Sequence, residues 1–142
     1  IQRAAMFYVL VKTGFGASLR TFGCNKKRLN TDNFADIEAR LDGVVIENKD
    51  FEDLIKVYDR EKALFYCDPP YHKTERHYTV KFTEDDHERL CRVLHQIKGR
   101  FVLSYNDDKY VRDLYKDYNI QAVTRNNSLS SGDFKEVIIT NF

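Results

Sequence analysis

The chain has 142 residues, of which 42% are hydrophobic, so it can bury one core and is predicted to be one domain or part of one. Its 23 basic and 22 acidic side chains leave a net charge of +1, too small to indicate a nucleic-acid partner by itself. No run of 18 apolar residues occurs, which argues against a membrane partner. The three cysteines have unrelated spacings, so no disulfide framework and no metal site is predicted.

The first 42 residues predict two helices separated by a basic segment. Residues 4–12 and residues 31–41 carry apolar side chains at helical spacing. Residues 13–30 between them are polar and contain several glycines, which predicts a loop or hairpin. The basic side chains of this segment include Arg20, Lys26, Lys27 and Arg28. Such a cluster is more often a solvated face than a DNA-binding surface, and both interpretations stay open.

From residue 43 onward, strands and helices are predicted to alternate. Apolar runs predict strands at residues 44–46, 63–67, 101–105, 120–124 and 137–142. Helical spacing predicts helices at residues 51–58, 83–97 and 107–118. Thr83 is expected to cap the second of these with Asp86 three residues later. This alternation favours an α/β fold with a mainly parallel sheet.

The most informative feature is the tetrapeptide Asp68-Pro69-Pro70-Tyr71, which follows the predicted strand at residues 63–67. The chain has two prolines, and both lie here, where each restricts its own φ and biases the preceding residue toward extended geometry. A rigid turn at the carboxyl end of a strand is where open α/β sheets bind ligands. A structural turn, in which Asp68 bonds its own backbone, is an equally good interpretation of an acidic-Pro-Pro sequence alone.

The same tetrapeptide after an apolar strand is the catalytic signature of amino-group methyltransferases that use S-adenosylmethionine. Further segments follow the order and spacing of one such family, at residues 46–55, 84–90, 98–106 and 136–142. The chain therefore resembles the adenine-specific DNA methylases, which include the bacterial GATC methylases and many phage relatives. The resemblance implies an α/β fold, a partial Rossmann-like class I methyltransferase sheet with helices on both faces. Residues 1–42 would be the tail of the target-recognition region, and residues 43–142 the catalytic core.

The resemblance assigns catalysis to the tetrapeptide. Asp68 and the carbonyl of Pro69 would accept hydrogen bonds from the target adenine amine and orient its lone pair toward the methyl group. Pro70 would keep this carbonyl aimed by stiffening the turn. Tyr71 would stack on the target base, which must leave the duplex to reach the methyl group.

S-adenosylmethionine is the implied cofactor, held by Asp50, Phe51 and Asp68. The pair Asp50-Phe51 matches the acidic-Phe pair with which the family contacts the cofactor's adenine. An N-cap followed by a core residue is the alternative interpretation of this pair.

Double-stranded DNA is the implied partner. Arg20 falls where the family keeps an arginine in its recognition hairpin, and such a side chain can donate two hydrogen bonds to guanine or phosphate. Lys26, Lys27 and Arg28 would add attraction that is independent of sequence. Tyr78 lies in a loop that could close over the flipped base or the DNA backbone.

Several nearby residues have weaker functional interpretations. A solvated polar loop is the favoured interpretation of His72 and Lys73. Capping is expected to explain Asp86, and packing to explain His87. Ser104, Tyr105 and Asn106 end a strand beside the catalytic strand, and we expect this segment to line the base pocket.

Two segments of the family have no counterpart in this sequence, namely its first lysine- and glycine-containing segment and its Phe-x-Gly-x-Gly loop. The chain is therefore expected to begin after the cofactor loop and, by itself, to bind S-adenosylmethionine weakly or not at all. The strand at residues 63–67 would then have an unpaired edge. This predicts self-association, direct pairing with residues 44–47, or dependence on an N-terminal portion.

The resemblance predicts a cytoplasmic, bacterial or phage-encoded adenine-N6 methyltransferase, of the kind found in restriction-modification. It would transfer a methyl group to a flipped-out adenine in duplex DNA. The alternative is an inactive DNA-binding remnant, or a partner subunit of a split methyltransferase.

Overall fold

The computed structural model describes residues 1–14, 21, 33–75, 78, 81–126 and 133–142, in two compact units. The first unit, Ile1–Glu47, contains α1 (Gln2–Thr13) and α2 (Phe34–Leu41). The second unit, Asn48–Phe142, contains α3 (Phe51–Tyr58), β1 (Leu64–Cys67), α4 (Glu84–Gln96), β2 (Arg100–Asn106), α5 (Lys109–Leu114), β3 (Asn119–Asn126) and β4 (Asp133–Thr140). In the described ranges, no helix is long and apolar enough to cross a bilayer.

Both helices predicted for the first unit are present. α2 begins at Phe34, three residues after the predicted start, and residues 31–32 lie outside the described ranges. The rings of Tyr8 and Phe34 meet edge-on with centroids 5.2 Å apart. Most of the segment predicted as a loop or hairpin at residues 13–30 also lies outside the described ranges. The proposed boundary between a target-recognition region and a catalytic core at residues 42 and 43 stays a prediction.

The second unit is built on a four-stranded sheet with the order β1-β2-β4-β3. β1 and β2 are parallel, whereas β4 is antiparallel to both of its neighbours. Two of the three pairings are antiparallel, so the sheet is mixed and the predicted mainly parallel sheet is wrong. The cause is the short connection between β3 and β4, residues 127–132, because a parallel pairing needs a crossover of about a dozen residues.

The predicted strand at residues 44–46 is wrong. No secondary structure is assigned to residues 44–50, and Val44, Val45 and Ile46 are exposed. Apolar β-branched residues favour strands only where a partner strand completes the hydrogen bonds. In the part of the chain that the structure describes, the sheet includes no segment before Leu64, so residues 44–47 do not pair with β1.

The helices of the second unit agree with the prediction except for the length of α5. α4 is capped as expected, because the backbone N–H and the hydroxyl of Thr83 both donate to Asp86 Oδ2 at 2.9 Å. α5 begins after Asp108, which caps it by accepting from the N–H of Tyr110 at 2.8 Å, and it ends at Leu114, short of the predicted end at residue 118.

The core of this unit lies where α3, α4 and α5 pack on the sheet. Its buried apolar side chains are Ile55, Leu90, Val93, Leu94, Phe101, Leu103, Tyr105, Val111, Tyr115, Val137 and Ile139. β2 contributes three of them, because it is flanked by β1 and β4. Cys67 and Cys91 are half-buried free thiols, as expected, and Cys24 lies outside the described ranges.

β1 is an edge strand among the described residues, because β2 is its one partner there. Leu64 and Tyr66 on this strand are 63% and 69% exposed. The unpaired edge expected from the sequence is therefore present, while self-association through it stays a prediction.

Gly99 fixes the close approach of the segments that precede β1 and β2. A Cβ at this position would lie 2.7 Å from the carbonyl oxygen of Ala63 and 2.9 Å from that of Arg60. Both oxygens belong to backbone that cannot rotate away.

We expect Gly99→Ala to lower the free energy of unfolding by about 1–3 kcal/mol through overpacking, measured by urea denaturation. Lys98→Ala, at an exposed neighbour, should change it by less than about 0.5 kcal/mol. Equal urea concentrations at the unfolding midpoint for Gly99→Ala and Lys98→Ala would contradict this account.

Candidate active site

The Asp-Pro-Pro-Tyr turn leaves the carboxyl end of β1 beside the carboxyl end of β2. The parallel register pairs Cys67 with Leu103, so the next residue of each strand, Asp68 and Ser104, lie side by side. The Ser104 hydroxyl donates to Asp68 Oδ1 at 3.0 Å and lies 3.3 Å from the carbonyl oxygen of Cys67. Ser104 is buried and Asp68 is exposed, so a fixed donor holds one oxygen of an accessible carboxylate.

Tyr71 is held by β4, two positions away from β1 in the sheet. Its phenol donates to Glu136 Oε1 at 3.1 Å. Its ring lies nearly parallel to that of Phe134, with centroids 6.1 Å apart and a 14° angle between planes. Burial raises the pKa of Tyr71 to about 12, and the Glu136 carboxylate acts in the same direction. The phenol is therefore a neutral donor at any ordinary pH.

The loop after the tetrapeptide is anchored to the residues that follow β2. His72 Nδ1 lies 3.1 Å from Asp108 Oδ1, and Lys73 Nζ lies 2.9 Å from Asp108 Oδ2. The His72 ring stacks on Tyr110 at 4.4 Å. The predicted solvated loop is wrong for His72, which is buried, and right for exposed Lys73. Asn106 at the end of β2 donates to the backbone carbonyl of His72 at 3.2 Å.

A second anchor joins this loop to α4 through His87. Its ring is 1% exposed, which confirms the packing role expected for it. His87 Nε2 lies 2.9 Å from Glu75 Oε1, and Nδ1 contacts the hydroxyl of Tyr105 on β2. Both ring nitrogens are thus occupied, and the loop that carries Glu75 is tied to the core of the sheet.

Asp50 caps α3 and also forms an ion pair with α4. It accepts from the N–H of Glu52 at 3.0 Å, so the N-cap interpretation is correct. Arg89 donates to both of its carboxylate oxygens, at 2.7 and 3.0 Å. The Arg89 guanidinium holds the pKa of Asp50 below its ordinary value and lies 4.1 Å from the centre of the Phe51 ring.

A cavity of approximately 660 Å³ lies between the start of α3 and the first three residues of the tetrapeptide. Its wall includes Asp50 and Phe51 at the start of α3, and Asp68, Pro69 and Pro70 after β1. Aliphatic and aromatic side chains complete it, among them Leu54, Ile55, Leu64, Phe65, Phe82 and Leu90. The structure therefore brings the two acidic positions singled out in the sequence to one cavity.

Most of the residues predicted to contact DNA are not among those that the structure describes. Arg20, Lys26, Lys27 and Arg28 lie outside the described ranges, so their role stays a prediction. Tyr78 is described and is 53% exposed. In the described part of the chain, no group of three His, Cys, Asp or Glu side chains is placed to hold a metal ion.

Three residues of the site were not singled out from the sequence, namely Arg89, Asp108 and Glu136. Glu136 carried a usable signal, because an acidic residue directly before the apolar run that starts at Val137 is unusual in a buried strand. Arg89 lies in the family-like segment 84–90 but, like Asp108, had no individual signal, since charged residues on a helix or directly before one are ordinary.

The protein-family model described as D12 class N6 adenine-specific DNA methyltransferase matches residues 11–129 of the sequence, which is most of the chain. The match includes the tetrapeptide, the cavity wall and both anchors of the loop. The enzymes of this family are adenine-specific methyltransferases, and the chain belongs to the D12 class N6 adenine-specific DNA methyltransferase family.

Proposed function

We propose that this chain transfers a methyl group from S-adenosylmethionine to the N6 amine of an adenine that has left the DNA duplex. The position of Asp68 is the main observation that supports this proposal. It lies on the cavity wall, and Ser104 holds its Oδ1 at 3.0 Å. Among the described residues, none donates to its Oδ2, which is available to a substrate.

The chemistry requires acceptors at this point. The exocyclic amine of adenine is a weak nucleophile because its lone pair is delocalised into the ring. Asp68 Oδ2 and the carbonyl of Pro69 are two acceptors on one proline-stiffened turn, and they suit the two N–H bonds of that amine. Accepting both hydrogen bonds draws the lone pair out of conjugation and orients it, and positioning of this kind supplies a large part of an enzyme's rate enhancement.

The cavity suits the proposed cofactor. S-adenosylmethionine supplies an electrophilic methyl group on a positively charged sulfur. A cavity of approximately 660 Å³ with mainly apolar walls and a few polar groups has the size and character of a small-molecule site. Asp50 Oδ2 accepts from Arg89 at 3.0 Å and keeps a further lone pair, which would accept from the cofactor's adenine amine. The Phe51 ring lines the same wall.

Duplex DNA is the proposed substrate, and the target base must be extruded to reach Asp68. Tyr71 offers an aromatic face beside the turn for stacking. We assign DNA contacts to Arg20, Lys26, Lys27 and Arg28 on the strength of the sequence, and to exposed Tyr78 after the tetrapeptide.

Methylation in cells tests the proposed function. The intact protein, expressed in a bacterial host without adenine methylation, should introduce N6-methyladenine at a short recurrent motif, detected by sequencing genomic DNA. An inactive DNA-binding remnant would leave the genome unmodified, so a complete absence of methylation with folded protein present would overturn the proposal.

Asp68→Asn should abolish this methylation. Ser104 would hold the amide oxygen in place of Oδ1, so the amide –NH₂ would face the adenine amine and put a donor where an acceptor is needed. We expect methyl transfer to fall by at least about a thousandfold with DNA binding retained, measured with radiolabelled cofactor. Asp113→Asn, on the exposed face of α5, is the matched control and should keep full activity. Near-normal turnover by Asp68→Asn would remove Asp68 from the mechanism.

Ser104→Ala tests the orientation of the carboxylate separately from its presence. The variant removes the donor to Asp68 Oδ1 and leaves the strand intact, so kcat should fall about tenfold or more while KM for cofactor and DNA changes little. Steady-state kinetics at saturating cofactor measure the effect. A change confined to KM would show that Ser104 contributes to binding and not to positioning.

Asp50→Asn tests the cofactor site. Asparagine caps a helix as well as aspartate does, so α3 should persist while the cofactor amine loses a charged acceptor. Calorimetry should show S-adenosylmethionine binding weakened about tenfold. Because Arg89 lowers the pKa of Asp50, the carboxylate stays ionised as pH falls. Wild-type affinity should therefore be constant from about pH 8 to pH 5 and decline only below about pH 4. Unchanged affinity in Asp50→Asn would contradict the assignment.

A further inference from the structure

Glu136 is an acidic side chain buried in the sheet next to the proposed stacking residue. It is 9% exposed and lies on β4, where the register pairs it with Asn106 of β2. A buried carboxylate is costly unless hydrogen bonds or charges compensate for lost hydration. The phenol of Tyr71 supplies one such bond to Oε1 at 3.1 Å.

Two side chains of β4 define the orientation of the Tyr71 ring. Glu136 and Phe134 are two residues apart, so they project from the same face of the strand. Glu136 binds the hydroxyl at the tip of the ring, and Phe134 lies nearly parallel to its plane at 14°. A contact at the tip and another along the face leave the ring little freedom to turn about χ1 or χ2.

We propose that Glu136 is a positioning residue that fixes the plane in which Tyr71 meets the flipped adenine. This inference rests on the proposed function. The bond is charge-assisted, since a carboxylate accepts it, and bonds of this kind are stronger than those between neutral groups. The phenol remains a donor throughout the working pH range because the pKa of Tyr71 is raised to about 12. The ring is thus oriented before the base arrives, so the base does not have to order it.

The proposal explains why tyrosine rather than phenylalanine stands at position 71. Stacking on a base needs only an aromatic face, which Phe also provides. The Tyr71 hydroxyl is needed only if another group of the protein forms a hydrogen bond with it. In this structure Glu136 does so from a strand that pairs with β2 and not with β1 itself.

A double-mutant cycle in the intact protein with cofactor and duplex DNA tests this role. Glu136→Met keeps the length of the side chain and removes the acceptor, and Tyr71→Phe removes the donor. Each should lower kcat about tenfold, and the double variant should be no slower than either single variant, because all three lack the same bond. Glu136→Gln, which keeps an acceptor oxygen, should recover most of the loss. Two variants are matched controls and should match the wild type. Tyr118→Phe removes a hydroxyl that bonds His95 at 3.0 Å, and Glu88→Gln changes an exposed side chain of α4.

The outcomes separate positioning from a general structural role. If Glu136→Met slowed the reaction by the same factor in the wild type and in Tyr71→Phe, Glu136 would act by stabilising the sheet, and the proposal would be overturned. Should Glu136→Met not fold, as judged by thermal denaturation, Tyr71→Phe alone decides: wild-type kcat in that variant overturns the proposal, and a tenfold loss supports it. Absence of methyl transfer by the wild type would instead overturn the proposed function.

Discussion

The parallel pairing of β1 with β2 is the constraint on which the rest of the site depends. Because both strands run in the same direction, they end at the same edge of the sheet, and the residue that follows Cys67 lies beside Ser104. Ser104 can then donate to Asp68, and Asn106 can donate to the carbonyl of His72. A shift of one residue in this register would turn these side chains to opposite faces and separate the carboxylate from its donor.

Two strands of the sheet, β2 and β4, hold different residues of the turn. β2 holds Asp68 through Ser104, and β4 holds Tyr71 through Glu136. The loop beyond them is tied by Asp108 and by His87, one on each side. The prolines stiffen the backbone of the turn, but they do not orient its side chains, which is done by partners distant in sequence. A site built in this way keeps its groups aimed before substrate binds, which is where enzymes gain most from positioning.

Asp50 shows that the structural role of a residue need not exclude the functional role that we propose for it. The carboxylate caps α3, pairs with Arg89 and lies on the wall of the cavity. The cap and the ion pair fix its direction, and its remaining lone pair faces no described donor. The same interactions that would have made it a purely structural residue thus make it a rigid acceptor.

The sequence by itself determined the local elements and the chemistry of the turn. Helical spacing located α3 and α4, the capping pattern located Thr83, and the tetrapeptide after an apolar run identified the family and the carboxylate to which we assign catalysis. These signals are local, so a single sequence contains them. It did not show that residues 44–46 lack a strand, nor that β4 is antiparallel, because both depend on which segment pairs with which.

Only the tertiary structure decided which side chains hold Asp68 and Tyr71. Glu136 lies 65 residues from Tyr71 along the chain, and Ser104 lies 36 residues from Asp68. Contacts over such separations depend on which strands become neighbours in the sheet, and a local pattern of residues does not specify this. The sequence therefore identified the side chains of the turn, and the pairing of the strands set the directions in which they point.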